Sequence, residues 1–223
     1  MYYHYLMKDE SNNLREFNDT GICVPHLHYM SDRPEKLDAS LELVTKGKYF
    51  TVNRPRQYGK TTLLFLLEKK LETMGYLVIK ISFEGIGDSV FESEERFAPV
   101  FLKLLHLKLK NKNRELAEFV LKEAEKVASL FDLSGVITQL VEMVNKKTVL
   151  MIDEVDKSSN NQLFLSFLGV LRAKYLDRNE GVEATFHSVI LAGVHDVKTL
   201  KLKLRLEDEA KFNSPWNIAV DFK

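Results

Sequence analysis

The sequence predicts an α/β fold, a mostly parallel sheet with helices on both faces. Three observations carry that reading. Apolar, β-branched runs of strand length alternate with leucine-rich stretches of helix length, the pattern of strand–helix crossovers that builds a parallel sheet. One strand-to-helix junction holds Gly59-Lys60-Thr61-Thr62. A second strand-like run, Thr148-Val149-Leu150-Met151-Ile152, ends in Asp153-Glu154, and ligands of open α/β sheets bind at such C-terminal strand ends.

The elements follow in order. Residues 1–16, polar and tyrosine-rich, read as an N-terminal arm, and residues 17–223 as one core. The stretch 16–34 carries the turn formers Asn18, Asp19, Gly21 and Pro25 and is expected to cover an edge of the core. Residues 33–45 read as a helix with Leu37, Leu41 and Val44 on one face. The first core strand is expected at 48–53, and a helix at about 62–74 buries Leu63, Leu64, Leu66, Leu67 and Leu71 until Gly75-Tyr76 ends it. The second strand is 77–83. Residues 93–146 read as about three helices, broken near Asn111-Lys112-Asn113 and Asp132-Leu133-Ser134. The acid-ended strand comes next, then a helix over 160–176 whose Phe164, Phe167, Leu168 and Leu171 recur at helical spacing, as core packing requires. A fourth strand is expected at 186–192, closed by Gly193, and Trp216-Asn217-Ile218-Ala219-Val220 opens a fifth.

Composition narrows the class. The chain has 223 residues, 45% of them apolar, enough for one sizeable α/β domain. Lys+Arg and Asp+Glu are both 32, so net charge points to neither nucleic acid nor an anionic membrane. The one cysteine, Cys23, excludes an intramolecular disulfide and suits a reducing compartment. Cys23, His26 and His28 lack the second ligand pair that a structural zinc needs. The N-terminus has no basic region followed by a long apolar core, and the longest uncharged apolar stretch, 163–171, is too short for a bilayer. A cytoplasmic location is expected, with no membrane partner.

The chemistry gathers in two motifs. Arg54-Pro55-Arg56-Gln57-Tyr58-Gly59-Lys60-Thr61-Thr62 reads as a phosphate-binding loop. Its backbone amides and the start of the following helix can surround phosphate oxygens. Lys60 reaches the β- and γ-phosphates, and the Thr61 hydroxyl binds Mg²⁺. The full pattern has a glycine five positions before Gly59. Here that position is Arg54, and Pro55 stiffens the turn instead. Asp153 can hold the Mg²⁺ shell, and Glu154 can orient or deprotonate the attacking water.

The loop resembles the Arg-Pro-Arg-x-x-Gly-Lys-Ser/Thr loop of bacterial AAA-like ATPases, relatives of the signal-transduction ATPases with numerous domains and of archaeal-type ATPases. Asn213-Ser214-Pro215-Trp216-Asn217-Ile218-Ala219 is similar to their Ser-Pro-Phe-Asn-Ile-Ala element, and Leu191-Ala192-Gly193-Val194-His195-Asp196-Val197 to the segment after their fourth strand. The resemblance implies a three-layer P-loop NTPase fold, with the fourth strand inserted between the loop strand and the acid-ended strand. It implies ATP with Mg²⁺, and no Asn-Lys-x-Asp guanine-reading motif stands against it. Arg56, Gln57, Tyr58, Gly59, Lys60, Thr61 and Thr62 then hold the nucleotide, Asp153 and Thr61 the metal, and Lys60 and Glu154 catalyse. His195 or Asp196 senses the γ-phosphate. Members usually continue past the Asn-Ile-Ala element, so the resemblance implies a core without the helical lid or effector domain.

Three functional readings stay open at this stage. The first is an ATPase coupled to a regulatory or conformational process. The second is an ATP/ADP-gated switch with little hydrolysis, working as a homo-oligomer or with a fused effector. The third is a nucleic-acid-associated module using the basic stretch Lys103, Lys108, Lys110, Lys112 and Arg114. Glu115, Glu118, Glu123 and Glu125 answer that stretch, which favours a solvated face. Arg205 reads as a solvated residue, with an arginine finger in an assembly as the sharper alternative.

Overall fold

A computed structural model describes residues 15–18, 21–30, 34–53, 55, 58–155, 162–193, 216 and 218–222. The elements run α1 (Pro34–Thr45), β1 (Phe50–Asn53), α2 (Lys60–Thr73), β2 (Leu77–Ser82), a 3₁₀ turn (Asp88–Glu92), α3 (Glu94–Leu109), α4 (Arg114–Glu123), α5 (Leu130–Glu142), β3 (Thr148–Asp153), α6 (Gln162–Asn179), β4 (Ser188–Gly193) and β5 (Val220–Phe222).

The strands form one sheet in the order β2-β3-β4-β1-β5, and every pairing is parallel. β4 lies between β1 and β3, as the resemblance implied. Every residue of β3 and of β4 is buried, which is why both read as continuous apolar runs rather than alternating ones.

Two apolar layers enclose the sheet. On one face, Val44 of α1 and Leu64, Leu67 and Leu71 of α2 meet Phe50, Val52, Val78, Val149, Met151, Ile190 and Ala192. On the other, α3 to α6 pack on Ile79, Ile81, Leu150, Ile152, Val189 and Leu191. The alternation of 149/151 with 150/152 sends successive side chains of β3 to opposite layers. By the same period, Asp153 falls on the α2 side.

Beyond shifts of up to three residues at element ends, three features differ from the sequence reading. The second helical break is not at 132–134. It falls between Glu123 and Leu130, and Asp132 belongs to the first turn of α5. Ser129 accepts from the Asp132 amide at 3.1 Å while the Asp132 carboxylate accepts from the Ser129 amide at 3.1 Å. That reciprocal capping box starts a helix rather than stopping one. The fourth strand begins at Ser188, because Arg178 holds the carbonyls of Phe186 and His187 before the strand. Trp216 is buried in a turn, stacked on Tyr49 at 5.8 Å, and β5 starts only at Val220. Of the N-terminal arm expected over 1–16, residues 1–14 lie outside the described residues, and Glu16 pairs with His28 in an isolated parallel bridge. Of the stretch expected to cover the core edge, Cys23 reaches α2, where its amide donates to Thr62 Oγ1 at 3.2 Å.

Among the described residues, no helix is long and apolar enough to cross a membrane.

Candidate functional site

The site is assembled where β1 turns into α2 and where β3 ends. Gly59 occupies the N-cap of α2 with φ 74° and ψ 19°. That left-handed conformation is open to glycine and strained for other residues. A Cβ at Gly59 would meet nothing within 4 Å, so the turn itself, not crowding, explains glycine here. No side chain caps α2. The first amides of a helix have no intrahelical partners, so Lys60, Thr61 and Thr62 present N–H groups at the positive end of the helix dipole. No acidic residue occupies this first turn.

Lys60 is 6% exposed, and its ammonium donates to the Pro55 carbonyl at 3.1 Å. The side chain thus curls back over the loop from which it springs. Thr61 Oγ1 donates to Asp153 Oδ2 at 3.0 Å across 92 residues of sequence. Asp153 is 6% exposed, and its other oxygen, Oδ1, accepts from the Glu154 amide at 2.9 Å. One carboxylate therefore ties the loop helix to the residue after the strand.

Glu154 is the one non-glycine residue with positive φ among the described residues, at 55°. The chain leaves β3 in a sharp turn, and Glu154 is half-buried at the mouth of the site. Tyr58, next to Gly59 in the loop, is 69% exposed. Thr62, expected at the phosphates, has its hydroxyl engaged by the Cys23 amide; its own amide remains in the first turn. Arg54, Arg56, Gln57, His195, Asp196 and Arg205 lie outside the described residues.

The structure therefore brings together Gly59, Lys60, Thr61, Thr62, Asp153 and Glu154 at one end of the sheet. The two oxygen donors, Thr61 hydroxyl and Asp153 carboxylate, meet at one point beside an ammonium group and the first amides of α2. Hard oxygen donors in such a pair suit Mg²⁺, and the amides with Lys60 suit phosphate. Sequence reading missed the Cys23 contact, since nothing local signals a backbone amide arriving from 39 residues away. Cys23, Asn18 and His28 serve that short segment itself: Asn18 Nδ2 reaches Cys23 Sγ at 3.5 Å, and His28 Nδ1 accepts from the Val24 amide at 2.9 Å.

A family model described as an AAA-like domain matches residues 21–219. The chain belongs to the AAA-like domain family. It is an AAA-like P-loop ATPase domain by sequence, with a parallel five-stranded sheet flanked by helices. Among solved structures, the Aeropyrum pernix ORC1 protein, determined in complex with DNA, is similar at 12% identity and a TM-score of 0.48. The match covers 87% of this chain and 46% of that one, so the chain spans under half of the length of that ORC1 protein. No curated protein matches the chain.

Proposed function

We propose that this AAA-like domain binds ATP with Mg²⁺ at the β1–α2 loop and hydrolyses it, coupling the nucleotide state to a regulatory or conformational process. The observation that carries the reading is the 3.0 Å bond between Thr61 Oγ1 and Asp153 Oδ2. It supports a single site built from both sequence motifs, with Lys60 next in chain.

The roles follow from the donor types. The amides of residues 59–62 donate to the phosphate oxygens, and the glycine backbone lets the chain turn closely around them. Lys60 sets its positive charge against the β- and γ-phosphates, and its bond to Pro55 O keeps it at the loop. Thr61 and Asp153 would hold Mg²⁺, which when bound would neutralise charge on the phosphates. Glu154 orients the attacking water and takes its proton. Positioning and charge neutralisation supply most of the rate, because phosphoryl transfer asks little covalent chemistry of the protein.

Two variants test the assignment. Lys60→Ala is expected to abolish tight ATP binding, read by calorimetry or by loss of the ATP-dependent melting shift. Equal binding by variant and parent refutes the site. Glu154→Gln is expected to keep Mg·ATP binding while phosphate release falls by about 10²-fold or more, the scale of general base catalysis. A parent that binds ATP and ADP with different melting shifts but releases no phosphate is instead the gated switch. ATP, ADP and GTP compared with and without Mg²⁺ settle the base and the metal.

A further inference from the structure

A cleft of about 440 Å³ opens at the opposite pole of the sheet, between the ends of α5 and α6. Its polar lining includes Lys146, Lys147, Arg178, His187 and Thr185, and no carboxylate lines it. Thr148 at the start of β3 borders this cleft, and Asp153 at the end of β3 belongs to the candidate site. Five steps of strand separate the two, roughly 16 Å at about 3.3 Å per residue.

Among the described residues, no carboxylate pairs with the cations here. Arg178 is clamped on carbonyls, donating to Phe186 O at 2.8 Å, His187 O at 2.5 Å and Gly47 O at 2.8 Å, and it lies 4.8 Å over the Tyr175 ring. None of these partners is an anion. Lys146 and Lys147 have no carboxylate partner among the described residues. Beneath them, His187 Nε2 is buried with no hydrogen bond, and the Thr185 hydroxyl lies within reach of Tyr49. The Tyr49 hydroxyl nearby commits its hydrogen to Phe186 O at 3.1 Å. Burial first, then the charges of Lys147 and Arg178, hold His187 below the ordinary imidazole value, against the pull of the Val44 and Thr45 backbone. The cleft thus carries a positive field that no carboxylate lining it answers among the described residues.

The competing explanation is that these cations serve the C-terminal carbonyls of α5 and α6. The bonds do not follow it. Arg178 reaches carbonyls of Gly47, Phe186 and His187, which belong to neither helix. No bond from either lysine ammonium to a carbonyl is made among the described residues.

We propose that this cleft is a second anion site, for a small phosphate-bearing molecule, separate from the nucleotide site at the other end of the sheet. A cleft lined by one sign of charge concentrates counter-charge, and its volume falls among those of small-molecule sites, about 300–1,000 Å³. A multiply charged phosphate uses both ammonium groups and the imidazole together. A single carboxylate cannot satisfy all three.

The test is a pyrophosphate titration at constant ionic strength, read by NMR on the His187 imidazole, whose signal is assigned by its loss in His187→Gln. Expected is a saturable change with the His187 pKa rising, retained in Lys60→Ala. In Lys146→Ala/Lys147→Ala the affinity should fall by about tenfold or more, as loss of charge-assisted bonds implies; Lys146→Arg/Lys147→Arg should restore it. Both lysines are exposed, so their removal leaves the core intact. No saturable change at His187, a change that vanishes in Lys60→Ala, or one that sodium chloride alone reproduces overturns the proposal. Failure of ATP to bind at the β1–α2 loop leaves this result standing, so the two readings fall separately.

Discussion

Glu154 is the residue where chemistry and backbone pull against each other. A glutamate in the left-handed region costs about 1–2 kcal/mol, and its φ of 55° is held by the hydrogen bond that its amide donates to Asp153 Oδ1. Residues kept in sparsely populated conformations cluster at functional sites, where surrounding bonds over-determine them. Replacement separates the two contributions. Glu154→Ala removes the carboxylate and keeps the strain, whereas Glu154→Gly removes both. Urea melts of the two should differ by about 1 kcal/mol in favour of glycine, with both inactive in phosphate release. Coincident melts would mean that no strain is stored at this position.

At the scale of elements, the clearest joint is between α5, α6 and the loop before β4. Lys174 of α6 is 1% exposed, and its ammonium reaches Thr138 of α5 at 2.6 Å and Glu183 at 2.9 Å. Thr138 also donates to Glu183. Burial raises the Glu183 pKa, but the hydrogen bonds from Lys174 and Thr138, with the Lys174 charge, outweigh it and the value is lowered. A carboxylate depressed in the folded state contributes stability above its unfolded pKa, and that contribution is lost as pH falls through the folded value. Glu183→Gln should therefore flatten the acid limb of stability against pH. At neutral pH it should cost about 3 kcal/mol, because it strands a buried ammonium. Parallel acid limbs in parent and variant would place the acid sensitivity elsewhere. This joint was not legible in the sequence, since its members lie 36 and 45 residues apart. The strands were, because a buried parallel strand announces itself as an unbroken apolar run. The pairing of Thr61 with Asp153 was legible for another reason: each motif carries its chemistry locally, and strand order alone brings them together. The misplaced break at 132–134 shows the opposite case. Ser and Asp signal both turns and helix starts, and only the Ser129–Asp132 spacing decides between them.

Taken as a whole, the molecule keeps its binding machinery and most of its stability on different faces of the sheet. The loop helix α2 is seated by Leu64, Leu67 and Leu71 against one face. The aromatic cluster of Phe83, Phe91, Phe97, Phe101, Phe164 and Phe167 fills the other, with Phe97 in ring contact at 5.1–6.2 Å with four of them. Phe97→Ala should cost about 3–5 kcal/mol and Leu64→Ala about 2–5 kcal/mol, each by cavity formation. Their effects on nucleotide should nonetheless diverge. Leu64 sits one turn after Lys60, so its loss loosens the helix end whose amides must hold phosphate, and misplacement of such groups is costly. Mg·ATP affinity, measured by calorimetry well below each melting point, should drop several-fold for Leu64→Ala and stay at the parent value for Phe97→Ala. An equal drop in both would mean that the sheet does not insulate the site from the aromatic core, and that the AAA-like domain responds to nucleotide as one undivided body.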